Sequence, residues 1–259
     1  MGFFDAFKKN KESAPNAVPM GSAKQPTDAP QSIQKVNLTK SKADLRTAIQ
    51  LTKEKSGVDI ATVKARVAVV MDKSGSMSSL YENGEVQSIL TRLLPFALQF
   101  DDNGELDVYV FSNNCNRVKV PMTEDNYETY VRDHILGKFS YGGTEYAPAV
   151  EKTDDDYNDK ASKMMPSLVF FITDGENSDE KATNRAIIKS SKHGVFYQFI
   201  GIGNSSFKYL EALDNLDGRT CDNTGFMTVK DFEKADNVQV FTESLTDYVP
   251  WLKSKGYII

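Results

Sequence analysis

Three short stretches of the chain combine oxygen-bearing side chains with glycines. They are "DKSGS" at residues 72–76, "YGGTEY" at 141–146 and "ITDGENSD" at 172–179. Hydroxyl and carboxylate oxygens suit Mg²⁺, Mn²⁺ or Ca²⁺, and alternate residues of one tight loop can point at a single ion. We therefore predict one divalent-cation site, with Mg²⁺ as the favoured ion, formed by five side chains: Asp72, Ser74, Ser76, Thr144 and Asp174.

Each stretch also has a simpler interpretation. Asp, Ser and Gly commonly end strands, because they bond their own backbone or tolerate a positive φ. "DKSGS" could thus be a strand stop, "GGT" a flexible loop and "TDG" a turn. The metal site is favoured because all three stretches occur in this order at the ends of separate predicted elements.

Strands and helices that alternate along the chain would position these loops. Near-continuous apolar strands joined by helices indicate a parallel sheet that is covered on both faces. The short strand at 116–122 and the turn "DDNGEL" indicate one antiparallel edge hairpin. The predicted strands are 65–72, 105–112, 116–122, 166–175, 195–203 and 225–231; the predicted helices are 85–102, 124–136, 147–160, 180–194, 206–216 and 238–256.

This pattern predicts an α/β fold of the Rossmann-like, doubly wound type. Its central sheet is mostly parallel, with one antiparallel edge strand and helices on both faces. Ligands of such sheets bind beyond the carboxyl ends of the strands, near the point where the strand order reverses. "DKSGS" and "ITDGENSD" both follow predicted strands, so we expect them to meet at that point.

The chain divides into a tail, one helix and a body. Residues 1–40 are predicted to be a disordered tail, because the segment from about Asn10 is rich in Pro, Ser, Ala, Asn and Gln. Residues 41–57 are predicted to form a helix that packs on the body, with a Ser41 cap and Gly57 at its end. The body comprises residues 58–259.

The first nine residues, "MGFFDAFKK", place three phenylalanines on one face of a helix beside two lysines. Such a face could touch a membrane surface or a partner groove. A frayed terminus is the alternative that the same residues allow. The three phenylalanines are Phe3, Phe4 and Phe7.

Composition excludes several classes of protein. Of the 31 Lys and Arg and 36 Asp and Glu, ten bases and five acids lie in residues 1–56, so the remainder carries a clear acidic excess. That excess and the lack of a basic cluster argue against nucleic-acid binding. With two cysteines, no secretory signal and no long apolar run, we expect a reduced protein of the cytoplasm.

The combination of "MDKSGSMSS", "YGGTEY" and "FITDGENSD" resembles the metal-ion-dependent adhesion site (MIDAS) of von Willebrand factor type A (VWA) domains, over residues 60–259. The stretches "FYQFIGIG" and "DNTGFM", among others, resemble the TerF-type tellurium-resistance branch, although no second Ter-type β domain is found. The resemblance implies that Ser74, Ser76 and Thr144 coordinate the ion, Thr144 directly in one loop state and through water in another. It gives Asp72 and Asp174 the role of holding coordinated waters.

The resemblance also implies a function in protein–protein contact. A partner's Asp or Glu would complete the metal shell, and other Ter-type stress proteins are candidate partners in tellurium or chemical stress resistance. A Mg²⁺-dependent phosphohydrolase is the alternative. It is disfavoured because no histidine or activated cysteine lies near the motifs, and because aspartyl-nucleophile phosphatases usually carry a second Asp where Ser74 stands. "GIGNSS" lacks the spacing of a dinucleotide-binding loop.

Overall fold

A six-stranded sheet forms the centre of the computed structural model, which describes residues 36–158, 165–175 and 177–259. The strand order is β3-β2-β1-β4-β5-β6, and every neighbouring pair is parallel except β2 and β3. This confirms the mostly parallel sheet with one antiparallel edge strand. The strands are β1 (Arg66–Asp72), β2 (Asp107–Phe111), β3 (Cys115–Arg117), β4 (Ser167–Thr173), β5 (Val195–Ile202) and β6 (Thr224–Val229).

The antiparallel edge is shorter than the sequence predicts. β3 covers three residues instead of seven, and it pairs with β2 across a turn at residues 112–114. "DDNGEL" is not that turn, because it connects a helix to the start of β2. Beyond β3, the Val118 N–H donates to the Val108 carbonyl at 2.8 Å, and an isolated bridge joins Leu106 to Met122. Pro121, between Val118 and Met122, has no N–H to donate to a ladder.

Helices cover both faces of the sheet, which confirms the doubly wound architecture. In β1, Val67, Val69 and Met71 pack into one apolar layer, whereas Ala68 and Val70 pack into the other. This alternation explains why the strand is apolar from Val67 to Met71. The α-helices are α1 (Leu38–Ser56), α2 (Ser78–Glu82), α3 (Glu85–Phe100), α4 (Tyr130–His134), α5 (Ala147–Tyr157), α6 (Glu180–Ser190), α7 (Lys208–Asp214), α8 (Asn237–Thr246) and α9 (Tyr248–Ser254).

Helix α1 packs on the body, mainly against α8 and α3, but it begins earlier than predicted. Its cap is Asn37, whose Oδ1 accepts a hydrogen bond from the backbone N–H of Lys40. The predicted cap, Ser41, is instead buried inside the helix. Asn and Ser both cap helices well. Here the Ser41 hydroxyl accepts from the side chain of Asn237, the first residue of α8, so Ser41 lies inside the helix and Asn37 is the cap. Gly57 ends the helix with φ 71°, as predicted.

The predicted helix at 238–256 is broken into α8 and α9. Pro250 lies in the first turn of α9, where a missing N–H costs least. In a continuous helix the residue at position 250 would donate its N–H to the carbonyl of Thr246. Proline has no N–H to donate, and its ring would clash with that carbonyl. The break therefore falls at Asp247, just before the turn that contains the proline.

Strands β1 and β4 lie side by side at the point where the strand order reverses. Their register pairs Met71 with Ile172, so Asp72 and Thr173 end neighbouring strands at the same edge. Because both strands are parallel, the loops that follow them emerge on one side of the sheet. The predicted meeting of "DKSGS" and "ITDG" is confirmed at this position.

Two sequence predictions fall on residues that the structure does not describe. The phenylalanine-rich segment with Phe3, Phe4 and Phe7 lies outside the described residues, and so does almost all of the predicted 1–40 tail. Within the described ranges, every helix is too short or too polar to cross a lipid bilayer.

A chain that begins near Gln34 should unfold at the same temperature as the full chain. The reason is that α1 and its Asn37 cap are complete from residue 37 onward, and the sequence from about Asn10 to that point has too few large apolar residues to add to the core. Thermal unfolding followed by circular dichroism measures this. A fall of many degrees after truncation would show that the removed segment packs on the body.

Candidate metal centre

Asp72 is the buried anchor of the site at the end of β1. Its side chain is 0% exposed, and both carboxylate oxygens accept hydrogen bonds. The backbone N–H of Ser74 donates to Oδ1 at 2.6 Å, and the Thr173 hydroxyl donates to Oδ2 at 2.7 Å. Asp72 thereby fixes the start of the 73–76 loop against β4.

Ser74, Ser76 and Asp174 form a continuous row of oxygen atoms. The Oγ atoms of Ser74 and Ser76 lie 3.0 Å apart, and the Ser76 hydroxyl donates to Oδ1 of Asp174 at 2.8 Å. Ser74 is 3% exposed, whereas Ser76 faces solvent. The structure thus joins four of the five predicted residues by hydrogen bonds across the β1 and β4 loops.

Thr144, the fifth predicted residue, is placed by its loop. Two residues earlier, Gly142 forms a β-bridge with Ser74: the Gly75 N–H donates to the Gly142 carbonyl at 3.1 Å, and the Gly142 N–H donates to the Lys73 carbonyl at 3.2 Å. The carbonyl of Thr144 accepts from the backbone N–H of Ser178 at 2.9 Å. Backbone bonds on both sides therefore hold Thr144 between the other two loops.

The glycines of "YGGTEY" permit close contact with the loop that follows β2. A Cβ on Gly142 would lie 2.8 Å from Ser112 Oγ and from Asn113 Oδ1, too close for a real side chain. Asn113 in turn accepts from the Gly143 N–H at 2.9 Å and donates to Glu145 at 2.8 Å. This gives Glu145 a role in holding the loop, whereas Glu176 lies outside the described residues.

Sequence reasoning missed three residues that support the site. Thr173 bonds to Asp72, and the Tyr146 hydroxyl donates to Thr173 Oγ1 at 3.2 Å and to the Gly175 carbonyl at 2.6 Å. Asp179 accepts from the backbone N–H groups of Tyr146 and residue 147, at 2.9 and 3.1 Å. Thr173, Tyr146 and Asp179 all lie within the quoted motifs. Their closeness in sequence to the predicted ligands is the signal that could have identified them.

The charge and donor set of the site fit a hard divalent cation. Burial raises the pKa of Asp72 to about 6, and the nearby charge of Asp174 adds to this effect. A cation placed beside these two carboxylates would favour their charged forms. Within the described ranges, no group of three or more His, Cys, Asp or Glu side chains could bind a metal, so hydroxyl ligands distinguish this site from a soft-metal centre.

Gly142→Ala should displace the Thr144 loop and destabilise the protein by about 1–3 kcal/mol, the usual cost of inserting atoms into a tightly packed contact. Gly75→Ala is the matched control, because a Cβ there meets nothing within 4 Å. Chemical denaturation compares the free energies of unfolding. Equal effects of the two substitutions would contradict the close contact at Gly142.

Solved structures with this fold are similar over about 70% of the chain. A von Willebrand factor type A protein from Catenulispora acidiphila matches with a TM-score of 0.53 at 15% identity, over 71% of this chain and 43% of that chain. Proximal thread matrix protein 1 of the mussel byssus, solved with a zinc-occupied MIDAS motif, matches with a TM-score of 0.53 at 19% identity, over 72% of this chain and 48% of that chain. This chain therefore spans less than half the length of either protein.

A third solved structure is manganese-loaded TRAP protein of Plasmodium vivax. It matches with a TM-score of 0.51 at 17% identity, over 72% of this chain and 73% of that chain. At these identities the three likenesses show the fold alone. Two of the neighbours nevertheless contain a transition metal, zinc in one and manganese in the other.

Sequence comparison identifies the branch of the fold. The uncharacterized protein YcbR of Bacillus subtilis strain 168 is 36% identical over 197 residues, which cover 75% of this chain and 80% of YcbR. The profile of the vWA-TerF-like family, described as the vWA found in the TerF C terminus, matches residues 64–257. With the switch-point site described above, these matches show that the chain belongs to the TerF-like family of von Willebrand factor type A domains.

Proposed function

We propose that this protein is a metal-dependent protein-interaction module. In this proposal, Ser74, Ser76 and Thr144 bind one divalent cation directly, while Asp72 and Asp174 hold its water ligands and anchor the hydroxyls. The single observation that carries the proposal is the hydrogen-bonded row from Ser74 through Ser76 to Asp174. Mg²⁺ is the favoured ion, with Mn²⁺ and Ca²⁺ as alternatives.

The donor set explains why a partner would bind through an acid. Three neutral hydroxyls and two carboxylates that act through water neutralise a divalent ion only partly at close range. The bound ion would supply a Lewis-acidic centre with an exchangeable water position, which a carboxylate can take. Ser76 faces solvent, so the site is open to a partner's Asp or Glu side chain.

The Thr144 loop is the element that would respond to this partner. It is tied to the 73–76 loop by the bonds between Gly142, Gly75 and Lys73, and to the β4 loop through Ser178. An added carboxylate changes which hydroxyls bind the ion directly, so Thr144 would switch between direct coordination and coordination through water. Through these backbone bonds, a movement of the Thr144 loop would act on the 73–76 loop and on the β4 loop.

An enzymatic function is the second candidate, and the site offers it little support. Hydrolysis at a metal requires a nucleophile or an acid–base group beside the ion. Domains of this type are generally interaction modules. Cys115, the free thiol after β2, is half-buried, and burial raises its pKa to about 12. Release of phosphate from generic phosphoesters that stops when Mg²⁺ is removed would instead support a phosphohydrolase.

The biological role that we propose is in bacterial resistance to tellurium or related chemical stress, in the cytoplasm. The support is the family relation to the TerF C terminus. The protein would act through contact with other proteins, among them other Ter-type stress proteins. A direct role in binding tellurium is disfavoured, because Cys115 and Cys221 are far apart in the chain and form no disulfide.

Capture of partners from an extract of the native host tests the proposal. The full chain serves as bait in Mg²⁺ and in EDTA, and the matched bait is Ser74→Ala/Ser76→Ala, which lacks two proposed ligands. We expect proteins that are retained by the wild-type bait in Mg²⁺ and by neither of the other two. Equal retention in EDTA would show that contact does not depend on the metal.

A further inference from the structure

Lys73, the residue between Asp72 and Ser74, places its ammonium group between two tyrosine rings. Its Nζ lies 3.9 Å from the centre of the Tyr81 ring and 3.6 Å from the centre of the Tyr141 ring. Both distances are well inside the range of about 6 Å at which a cation is attracted to an aromatic face. Lys73 is 1% exposed, so little water competes with the rings for its charge.

The two rings are held differently. Tyr81 is buried, and its hydroxyl donates to the carbonyl of Asp72 at 3.0 Å, so this ring is fixed to the end of β1. Tyr141 is 40% exposed and meets Tyr81 edge to face, with ring centres 6.0 Å apart and planes at 80°. Tyr141 is therefore the half of the arrangement that can leave Lys73 without disturbing the core.

Tyr141 belongs to the loop that carries Thr144. The residue after it, Gly142, exchanges backbone hydrogen bonds with Lys73 and Gly75. The cation–π contact thus adds a side-chain link beside the backbone links between the two loops. A movement of Thr144 away from Ser74 and Ser76 must therefore either separate Tyr141 from Lys73 or move Lys73 together with the loop.

We propose that Lys73 and Tyr141 are positioning residues, whose contact holds the Thr144 loop against the loop of Ser74 and Ser76. The proposal rests on the proposed function only for the role of Thr144 as a metal ligand; the holding of the loop is independent of it. Because Lys73 is buried and Tyr141 is 40% exposed, this cation–π contact is partly desolvated, and its loss should shift an equilibrium by about tenfold, between the values for exposed and for desolvated pairs. The loop should therefore open about ten times more often without it.

Amide hydrogen exchange of the full chain tests the proposal, because three N–H groups of this loop donate to neighbouring loops: Gly142 to Lys73, Gly143 to Asn113 and Glu145 to Ser112. In metal-free protein, Tyr141→Leu should exchange these amides about tenfold faster than wild type. Tyr141→Phe keeps the aromatic face and should match wild type. Exchange in β4 should stay unchanged in both variants, which distinguishes loop opening from a general loss of stability.

A double-mutant cycle with Lys73→Met identifies the partner of the ring. Lys73→Met and Tyr141→Leu should each accelerate exchange about tenfold, and the two together no more than either alone. Lys73→Arg should restore slow exchange. The proposal would be overturned if the double variant exchanged faster than either single variant by the product of their effects, or if Tyr141→Leu exchanged at the wild-type rate. If Lys73→Met fails to fold, the result for Tyr141→Leu decides by itself.

Calorimetry with Mg²⁺ on the wild-type chain separates this inference from the proposed function. Heat of binding together with unchanged exchange in Tyr141→Leu would overturn the positioning role and leave the metal site standing. Absence of Mg²⁺ binding together with accelerated exchange would overturn the metal site, while the contact between Lys73 and Tyr141 would still hold the loop.

Discussion

Asp72→Asn should weaken Mg²⁺ binding strongly, lowering the affinity by about 10–100-fold. The amide can keep both hydrogen bonds of Asp72, because its oxygen accepts from the Ser74 N–H and its nitrogen donates to the Thr173 hydroxyl. The substitution therefore removes the charge that orients the metal's water ligands while the loop geometry is retained. Titration calorimetry of the full chain with Mg²⁺ measures the loss.

The same substitution should have the opposite effect on the metal-free protein. Burial raises the pKa of Asp72 from 3.8 to about 6. The folded state thus binds a proton more tightly than the unfolded state, and metal-free wild type loses stability as the pH rises from about 4 to about 6. Above that window Asp72→Asn should be more stable than metal-free wild type, by about 1–3 kcal/mol.

Asp59→Asn is the matched control, because Asp59 pairs with Lys53 at the surface and lies outside the three site loops. It removes the same charge and should leave Mg²⁺ affinity within about twofold, as expected for a screened surface charge. Unchanged affinity in Asp72→Asn would contradict the metal site. Equal losses in both variants would show that total charge alone attracts the ion.

Thr144→Ala should retain much of the Mg²⁺ affinity and lose partner binding. Ser74 and Ser76 remain as ligands, and the loop keeps its backbone bonds to Gly75 and Ser178. The partner's acid, however, acts on the loop through the ion and Thr144. Affinity for the captured partner, measured in Mg²⁺, should fall at least about tenfold, the size of a typical coupling energy.

Replacement of the partner's acid by its amide completes a double-mutant cycle. Each change alone should cost about the same, and both together little more than either one, since coupled residues lose their interaction only once. Ser178→Ala is the control for general loosening of the loop, because its hydroxyl donates to the carbonyl of Thr144 at 2.8 Å. Additive losses would mean that Thr144 and the partner's acid act independently, and that the metal only stabilises the structure of the domain.

The fold and the place of the site could be predicted because they depend on local patterns. Apolar runs of strand length between helices require a sheet with two covered faces, and a parallel sheet brings the loops after β1 and β4 to one edge. The ligand roles of the five oxygen-bearing residues remain predictions, which Asp72→Asn tests. Their meeting in space follows from the strand order.

The supporting hydrogen bonds could not be predicted, because they join distant parts of the chain. Thr173 and Asp72 are 101 positions apart, and Tyr146 and Asp179 are 33 apart. Nothing in the spacing of a threonine or an aspartate identifies its distant partner. The cap of α1 was missed for a related reason, since Asn37 and Ser41 are equally suitable locally and only packing against α8 distinguishes them.

The pairing of β1 with β4 also determines when during synthesis the site can exist. Ser76 and Asp174 are 98 positions apart, which at about 5–20 residues per second takes a ribosome about 5–20 s. During that time the backbone N–H and C=O groups of β1 that pair with β4 in the finished sheet have no partner, and they are open to pairing with other chains. A metal bound as proposed would not protect this intermediate, because Asp174, the carboxylate beside Ser76, has not yet been made. The proposed ion would therefore stabilise only the finished chain, and before that point β2 is the strand available to pair with β1.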